Sequence, residues 1–123
     1  MIDHVKVFAT DAETSRRFYE AALEPLGYRV LMETAPGVVG MGARFPFFWI
    51  SPLNPDGGQP TVCHLAFRAE SNELVDAFHA AALAAGGRDN GPPGERPQYH
   101  PGYYGAFVLD PDGNNAEAVC HNF

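Results

Sequence analysis

The sequence predicts an α+β domain made of two tandem βαβββ units, whose curved sheets face each other around a cleft. Two strand-and-helix patterns follow one another, and matching residues recur 60 positions apart. The 123 residues suffice for one domain with its own core and are too few for two. We therefore expect one domain over residues 1–123, with a first unit at about 1–51, a linker at 52–60 and a second unit at 61–123.

The first unit begins with an alternating, Val- and Phe-rich stretch, Ile2–Phe8, which predicts a strand. Thr10–Glu13 has the spacing of a capping box and predicts a helix start. Apolar residues then recur at helical spacing until Pro25 and Gly27 end the helix. Glycines and prolines divide the remainder into three expected strands, Tyr28–Thr34, Gly37–Ala43 and Phe45–Ser51.

The second unit repeats this pattern. A helix is expected over Ser71–Ala85, and strands are expected over Thr61–Arg68, Tyr103–Leu109 and Ala116–Cys120. Asp110–Asn114, with the sequence DPDGN, predicts the tight turn between the last two strands. The Pro- and Gly-rich stretch Asp89–Gly102 is expected to be a loop that contains at most one short strand, near Arg88–Gly91.

The internal repeat supports the two-unit interpretation. At an offset of 60 residues His4 corresponds to His64, Phe18 to Phe78, and Gly27 to Gly87. Alanines could match by chance in an Ala-rich chain, but a histidine, a phenylalanine and a glycine together are harder to match in this way. A duplicated βαβββ unit is the simplest explanation.

Strand alternation places three potential metal ligands on one surface. Side chains along a strand point to opposite faces in turn, so His4, His64 and Glu117 are expected to face the cleft. Two imidazoles and a carboxylate suit a divalent ion of Fe, Mn, Ni, Co or Zn and leave positions open for a substrate. A single strand histidine is more often structural, so this interpretation depends on the matched pair.

Further site candidates lie mainly in the second unit. We expect Glu117, Tyr103 and His100 to carry acid–base chemistry, since a loop dense in polar aromatic groups can line a pocket. An equally simple interpretation is a rigid loop whose tyrosines cover the core. The residues expected to line a substrate pocket are Phe48, Trp49, Arg96, Tyr104 and His121.

Four features carry a resemblance to a known family: His4 of the opening strand, the helix Phe18–Tyr28, the strand Cys63–Phe67 and the closing hairpin Phe107–Val119. They resemble the vicinal-oxygen-chelate superfamily, which includes glyoxalases, bleomycin-resistance proteins and extradiol dioxygenases. The resemblance implies metal ligation at His4, His64 and Glu117. It also implies a two-fold homodimer, and we expect His4 of one chain to meet His64 and Glu117 of the other.

One feature departs from glyoxalase I enzymes, which also carry a glutamate on the fourth strand. That strand has no carboxylate here, which favours a three-ligand site. We expect a metal-dependent lyase, isomerase, transferase or dioxygenase acting on a small bidentate substrate. The alternative is a metal-free module that sequesters an aromatic or drug-like ligand, as in the bleomycin-resistance branch. A ferredoxin-like regulatory domain is a third, weaker interpretation.

The composition excludes several classes of partner. The chain has 8 basic and 15 acidic residues, a net charge of −7, and no basic cluster. Nucleic acids and anionic membranes are disfavoured, because both require grouped positive charge. The two cysteines lie in apolar stretches outside any metal- or disulfide-type motif, and the N-terminal residues do not have the pattern of a signal peptide, so we expect a cytoplasmic location.

Overall fold

The computed structural model describes all 123 residues and contains two α-helices, one short 3-10 helix and eight strands. The first unit comprises β1 (Val5–Ala9), α1 (Ala12–Leu23), the 3-10 turn Glu24–Leu26, β2 (Arg29–Ala35), β3 (Val38–Gly42) and β4 (Phe48–Pro52). The second unit comprises β5 (His64–Arg68), α2 (Asn72–Ala84), β6 (Arg88–Glu95), β7 (Tyr103–Leu109) and β8 (Asn115–His121). None of the helices is long and apolar enough to span a membrane.

Both units have the same sheet topology. The strand orders are β1-β4-β3-β2 and β5-β8-β7-β6, and in each sheet the first strand pairs in parallel with the last while the other pairs are antiparallel. The two helices begin at equivalent points, because Asp11 and Ser71 cap them by accepting from the backbone N–H of Thr14 and Leu74. The predicted pair of βαβββ units is confirmed.

Several element boundaries differ from the prediction. The stretch interpreted mainly as a loop forms an eight-residue strand, β6, whose pairing with β7 is irregular on either side of Gly91. The helix cap is Asp11 rather than Thr10. The left-handed glycine after α2 is Gly86, with φ +97°, so it is the counterpart of Gly27 with φ +86°.

The two units share one hydrophobic core. Alternate residues of β1 and β5, such as Val7 and Phe67, are buried beneath the helices, and α1 packs against α2. The Tyr19 ring meets the Phe48 ring edge-on at 4.7 Å, and Phe48 meets Phe67 at 5.3 Å, which joins the first unit to the second. We call the side of each sheet opposite its helix the open face, because no other helix or strand of the chain packs against it.

The DPDGN turn also ties the units together. The buried carboxylate of Asp110 accepts hydrogen bonds from the backbone N–H groups of Asp112 and Asn114 and from the Asn114 amide. It also accepts from the hydroxyl of Tyr19 on α1, at 2.6 Å. The turn motif is therefore a contact between units as well as a hairpin connection.

Candidate functional site

The strongest polar constellation lies on the open face of the second sheet. His64 begins β5 and Glu117 lies on the adjacent β8, where alternation turns both side chains away from α2. His64 Nε2 is 2.8 Å from Glu117 Oε1, and the Tyr103 hydroxyl donates to Glu117 Oε2. Glu117 is only 1% exposed, so its carboxylate depends on these two neighbours in place of water.

Tyr103 remains a hydrogen-bond donor at neutral pH. Burial, and then its hydrogen bond to the Glu117 carboxylate, raise the pKa of Tyr103 well above its usual value. Gly105 lies next to both groups, since a Cβ there would be 3.2 Å from Glu117 Oε2 and 3.1 Å from a Tyr103 ring carbon. Gly105 was not predicted as a site residue. Its position on β7 could have indicated it, because Tyr103, Gly105 and Phe107 are alternate residues that face the same side of the sheet.

A second group of predicted residues adjoins this constellation. His100 Nε2 lies 2.9 Å from His121 Nδ1, and the Tyr103 ring meets both imidazoles edge-on with centroids at 5.3 Å. The ring of Phe123 stacks on both histidines. Tyr103 is thus the link between this histidine pair and Glu117.

Arg96 lies on the same side of the second sheet but is already bonded within its own segment. Its Nη2 donates to the Pro92 carbonyl at 2.6 Å, and the guanidinium lies 5.4 Å above the Phe107 ring. Phe107 pairs with Glu117 across β7 and β8. The positive charge therefore lies beside the constellation, while part of its hydrogen-bonding capacity is used by the backbone.

The first sheet carries a separate cavity on its open face, which we call the first-sheet cavity. Its volume is about 570 Å³, and it is lined by Asp3, His4, Lys6, Thr34, Val38, Phe45, Pro46 and Trp49. His4 is exposed there and its Nδ1 lies 2.7 Å from Asp3 Oδ1. A groove between the two units is lined by both His4 and His64, so the repeat-matched histidines border one depression.

Two residues that were expected to line the pocket lie on the helix-covered side of their sheets. Phe48 is fully buried on the helix-covered side, because it pairs in register with Val5 and alternation sends the next residue, Trp49, to the open face. Tyr104 also faces the helix, where its hydroxyl donates to Asp76 on α2 at 2.7 Å. In both cases two neighbouring residues of one strand were expected in the pocket, although alternation places neighbours on opposite faces of a sheet.

The donor atoms meet part of the requirement for a divalent ion. Two ligands at about 2.0–2.2 Å from an ion and at a right angle to each other lie about 3 Å apart, close to the 2.8 Å between His64 Nε2 and Glu117 Oε1. His4 does not complete the set within one chain, because no three His, Cys, Asp or Glu residues are grouped as a metal site would require. A single chain therefore offers two adjacent ligands and one separate candidate.

Comparisons with known proteins agree with the topology. Residues 1–118 match the model of the Glyoxalase/Bleomycin resistance protein/Dioxygenase superfamily, and the chain belongs to that family. YqjT of Bacillus subtilis is 30% identical, with 95% of this chain and 96% of that protein aligned. A glyoxalase/bleomycin resistance protein from Albidiferax ferrireducens has a TM-score of 0.82 and 35% identity over 96% of this chain and 97% of its own.

A lactoylglutathione lyase from Agrobacterium tumefaciens shares the fold at greater distance. The TM-score is 0.69 and the identity is 20%, over 98% of this chain and 92% of that protein. At this identity the likeness concerns the fold alone. Members of the superfamily bind small-molecule substrates or ligands, and the particular chemistry of this chain has to be argued from its own residues.

Proposed function

We propose that the protein is a divalent-metal-dependent enzyme that acts on a small bidentate substrate. The observation that carries the proposal is the buried Glu117 carboxylate, whose Oε1 lies 2.8 Å from His64 Nε2. A fully buried carboxylate is costly unless a cation or several donors offset its charge. The side chains hydrogen-bonded to it in this chain are an imidazole and a phenol, and a divalent ion would supply positive charge in direct contact with the carboxylate.

Each residue of the constellation has a distinct task in this proposal. His64 and Glu117 hold the ion, and the Tyr103 hydroxyl donates to the second oxygen of Glu117 and so fixes the orientation of the carboxylate. His100 and Tyr103 are the nearby groups that can hold or accept a proton at a bound substrate. The bound ion would act as a Lewis acid that polarises the substrate oxygens.

The third ligand is proposed to come from a second copy of the chain. His4 directly precedes β1 and lines the first-sheet cavity, outside the group that contains His64 and Glu117. In a two-fold homodimer the partner subunit's His4 would complete each site, and two equivalent sites would form. Phe45, which lines the same cavity as His4, and Phe8, further along β1, are exposed, and such side chains are commonly covered in an assembly.

Metal analysis of protein purified without a polyhistidine tag tests the proposal. We expect about one divalent ion per chain in the wild type and a sharp loss in His64→Ala and Glu117→Gln. His79→Ala is the matched control, because His79 pairs with Asp89 near the start of β6, away from the constellation. Equal metal content or equal metal affinity in all four proteins would refute the metal-dependent function.

A mixing experiment tests the shared site. His4→Ala and Glu117→Ala chains are each expected to be deficient alone, because every site in either homodimer lacks one ligand. In the heterodimer one of the two sites regains all three ligands, so half of the wild-type metal content per heterodimer is expected. No recovery after mixing, or a monomer by sedimentation at micromolar concentration, would refute the shared site.

A metal-free binding module is the second candidate. It is favoured by the first-sheet cavity, in which Trp49 and Phe45 present aromatic surface, and by the absence of a three-ligand group within one chain. This function predicts that ligand affinity is unchanged in the Glu117→Gln variant and after treatment with a chelator. A loss of affinity in both cases would exclude it.

A further inference from the structure

The only lysine and the only tryptophan of the chain lie side by side in the first-sheet cavity. Lys6 on β1 and Trp49 on β4 are register partners in the parallel pair, and both line the open face. Their neighbours Val7 and Ile50 are buried on the opposite side. The adjacency of Lys6 and Trp49 is therefore fixed by the sheet and not by a loop.

The position of the indole ring depends on a glycine beneath it. Gly40 on β3 is the register partner of Trp49 on the other side. A Cβ at Gly40 would lie 2.8 Å from Trp49 Cζ2 and 2.9 Å from Cε2, closer than real Cβ contacts, and 2.8 Å from Pro46 Cβ. The indole thus passes directly over the bare backbone of Gly40 and forms part of the cavity floor.

The positive charge of Lys6 has no partner within the chain. No carboxylate lies within 4.0 Å of its amino group, which is 5.9 Å from the centroid of the Phe8 ring. Asp3 is the only carboxylate that lines the cavity, and it is paired with His4 at 2.7 Å. In a protein of net charge −7, Lys6 thus supplies a cation without a carboxylate partner to the cavity that Trp49 also lines.

We propose that the first-sheet cavity binds a planar, conjugated ligand that carries an anionic group such as a carboxylate. The planar part stacks on Trp49 and the anionic group pairs with Lys6. The proposal specifies the substrate class of the proposed enzyme. It rests on that function in one respect: the cavity, which His4 also lines, is treated as part of the substrate site.

Three small probes separate the two parts of the proposal. 2-Naphthoate is planar and anionic, 2-naphthamide is planar and neutral, and cyclohexanecarboxylate is anionic without a planar ring. Calorimetry on the full-length, chelator-treated protein gives the Kd values. We expect 2-naphthoate to bind about fivefold tighter than 2-naphthamide, the size of an exposed ion pair, and cyclohexanecarboxylate to bind more weakly than 2-naphthoate.

Variants assign these differences to residues. Lys6→Gln should abolish the preference for 2-naphthoate and leave 2-naphthamide unchanged, whereas Trp49→Leu should weaken both about tenfold. Arg29→Gln is the matched control, because Arg29 is exposed on β2 and outside the cavity. The single indole N–H signal of Trp49 in the ¹⁵N NMR spectrum of the wild type should shift with 2-naphthoate.

The proposal is overturned if 2-naphthoate and 2-naphthamide bind equally to the wild type, if Lys6→Gln weakens both, or if the Trp49 signal does not move at saturation. The wild-type comparison holds even if a variant fails to fold. Because these measurements use chelator-treated protein, a failure of metal binding at Glu117 would leave their outcome unchanged. The two proposals can therefore fail separately.

Discussion

Removing the hydroxyl of Tyr19 tests the contact between the units most directly. Tyr19 lies on α1, is fully buried, and donates to Asp110 Oδ2, 91 residues further along the chain, at 2.6 Å. Tyr19→Phe keeps the ring, with its edge-on contacts to Phe18 and Phe48, and deletes only this donor. The change therefore isolates one hydrogen bond to a buried carboxylate.

The expected loss of stability follows from the type of bond. A hydrogen bond to a charged group contributes about 1.5–3 kcal/mol. In Tyr19→Phe the Asp110 carboxylate still accepts hydrogen bonds from its three donors in the turn. We therefore expect the unfolding free energy to fall by about 2 kcal/mol. With an unfolding entropy of about 2.1 cal/mol/K per residue, this corresponds to a Tm lowered by roughly 8 °C.

The pH dependence has a definite sign. Burial, and then the negative charge of Asp110, raise the pKa of Tyr19 well above its usual value. A group whose pKa is higher in the folded state stabilises fully below its unfolded pKa of about 10 and loses that contribution as the pH rises further. The difference in unfolding free energy between wild type and Tyr19→Phe should be constant at neutral pH and shrink above about pH 10.

Urea denaturation followed by circular dichroism measures both effects. Tyr28→Phe is the matched control, because Tyr28 is half-buried against Phe47 and its hydroxyl has no hydrogen-bond partner in the chain. The control should change the unfolding free energy by less than about 0.5 kcal/mol. If Tyr19→Phe behaves like the control, or if its effect grows above pH 10, the assigned role of the Tyr19–Asp110 bond is wrong.

Three further predictions concern packing and the site. Phe48→Ala should lower the unfolding free energy by about 3–5 kcal/mol, whereas Phe45→Ala, 65% exposed, should change it little in urea denaturation. Gly87→Ala should lower the unfolding free energy by about 1–3 kcal/mol through overpacking, because its Cβ would lie 2.4 Å from Val108. Gly27→Ala should lower it by only about 1 kcal/mol in calorimetry, because its Cβ would contact nothing but its φ is positive. Tyr103→Phe should weaken the proposed metal affinity about 10- to 100-fold in a competition titration and leave the His64 and Glu117 ligands in place; unchanged affinity would mean that the hydroxyl does not orient the carboxylate.

The topology could be predicted because several local signals agreed. Capping residues, helix-stopping glycines and the 60-residue repeat each pointed to two βαβββ units, and the DPDGN turn located the last hairpin. The length of β6 was underestimated, with only a short strand near Arg88–Gly91 allowed, because Arg88–Glu95 contains two prolines and two glycines, a composition that favours loops. Such residues are tolerated here because β6 lies at the end of its sheet and pairs with β7 alone.

The sequence predicted which face of the sheet several site residues occupy, but not which of them are in contact. Alternation correctly turned Glu117 away from the helix. On β4 both Phe48 and Trp49 were expected in the pocket, but only Trp49 faces it, because neighbouring strand residues point to opposite faces. The sequence also gave no sign that Tyr103 would donate to Glu117, because that contact depends on the register of β7 and β8. Long-range register is a tertiary property, which local patterns do not determine.

The two units share one topology but have open faces with different chemistry. The first carries His4, the unpaired Lys6 and Trp49, which suit the binding of a planar anion, and the second carries His64 and Glu117, which suit ligation. At the equivalent position 60 residues on, Lys6 is replaced by Ala66, so the second face lacks this cation. Because neither face alone holds three ligands, the proposed chemistry requires both kinds of face in one site, and the proposed two-fold dimer would bring them together twice with a single interface.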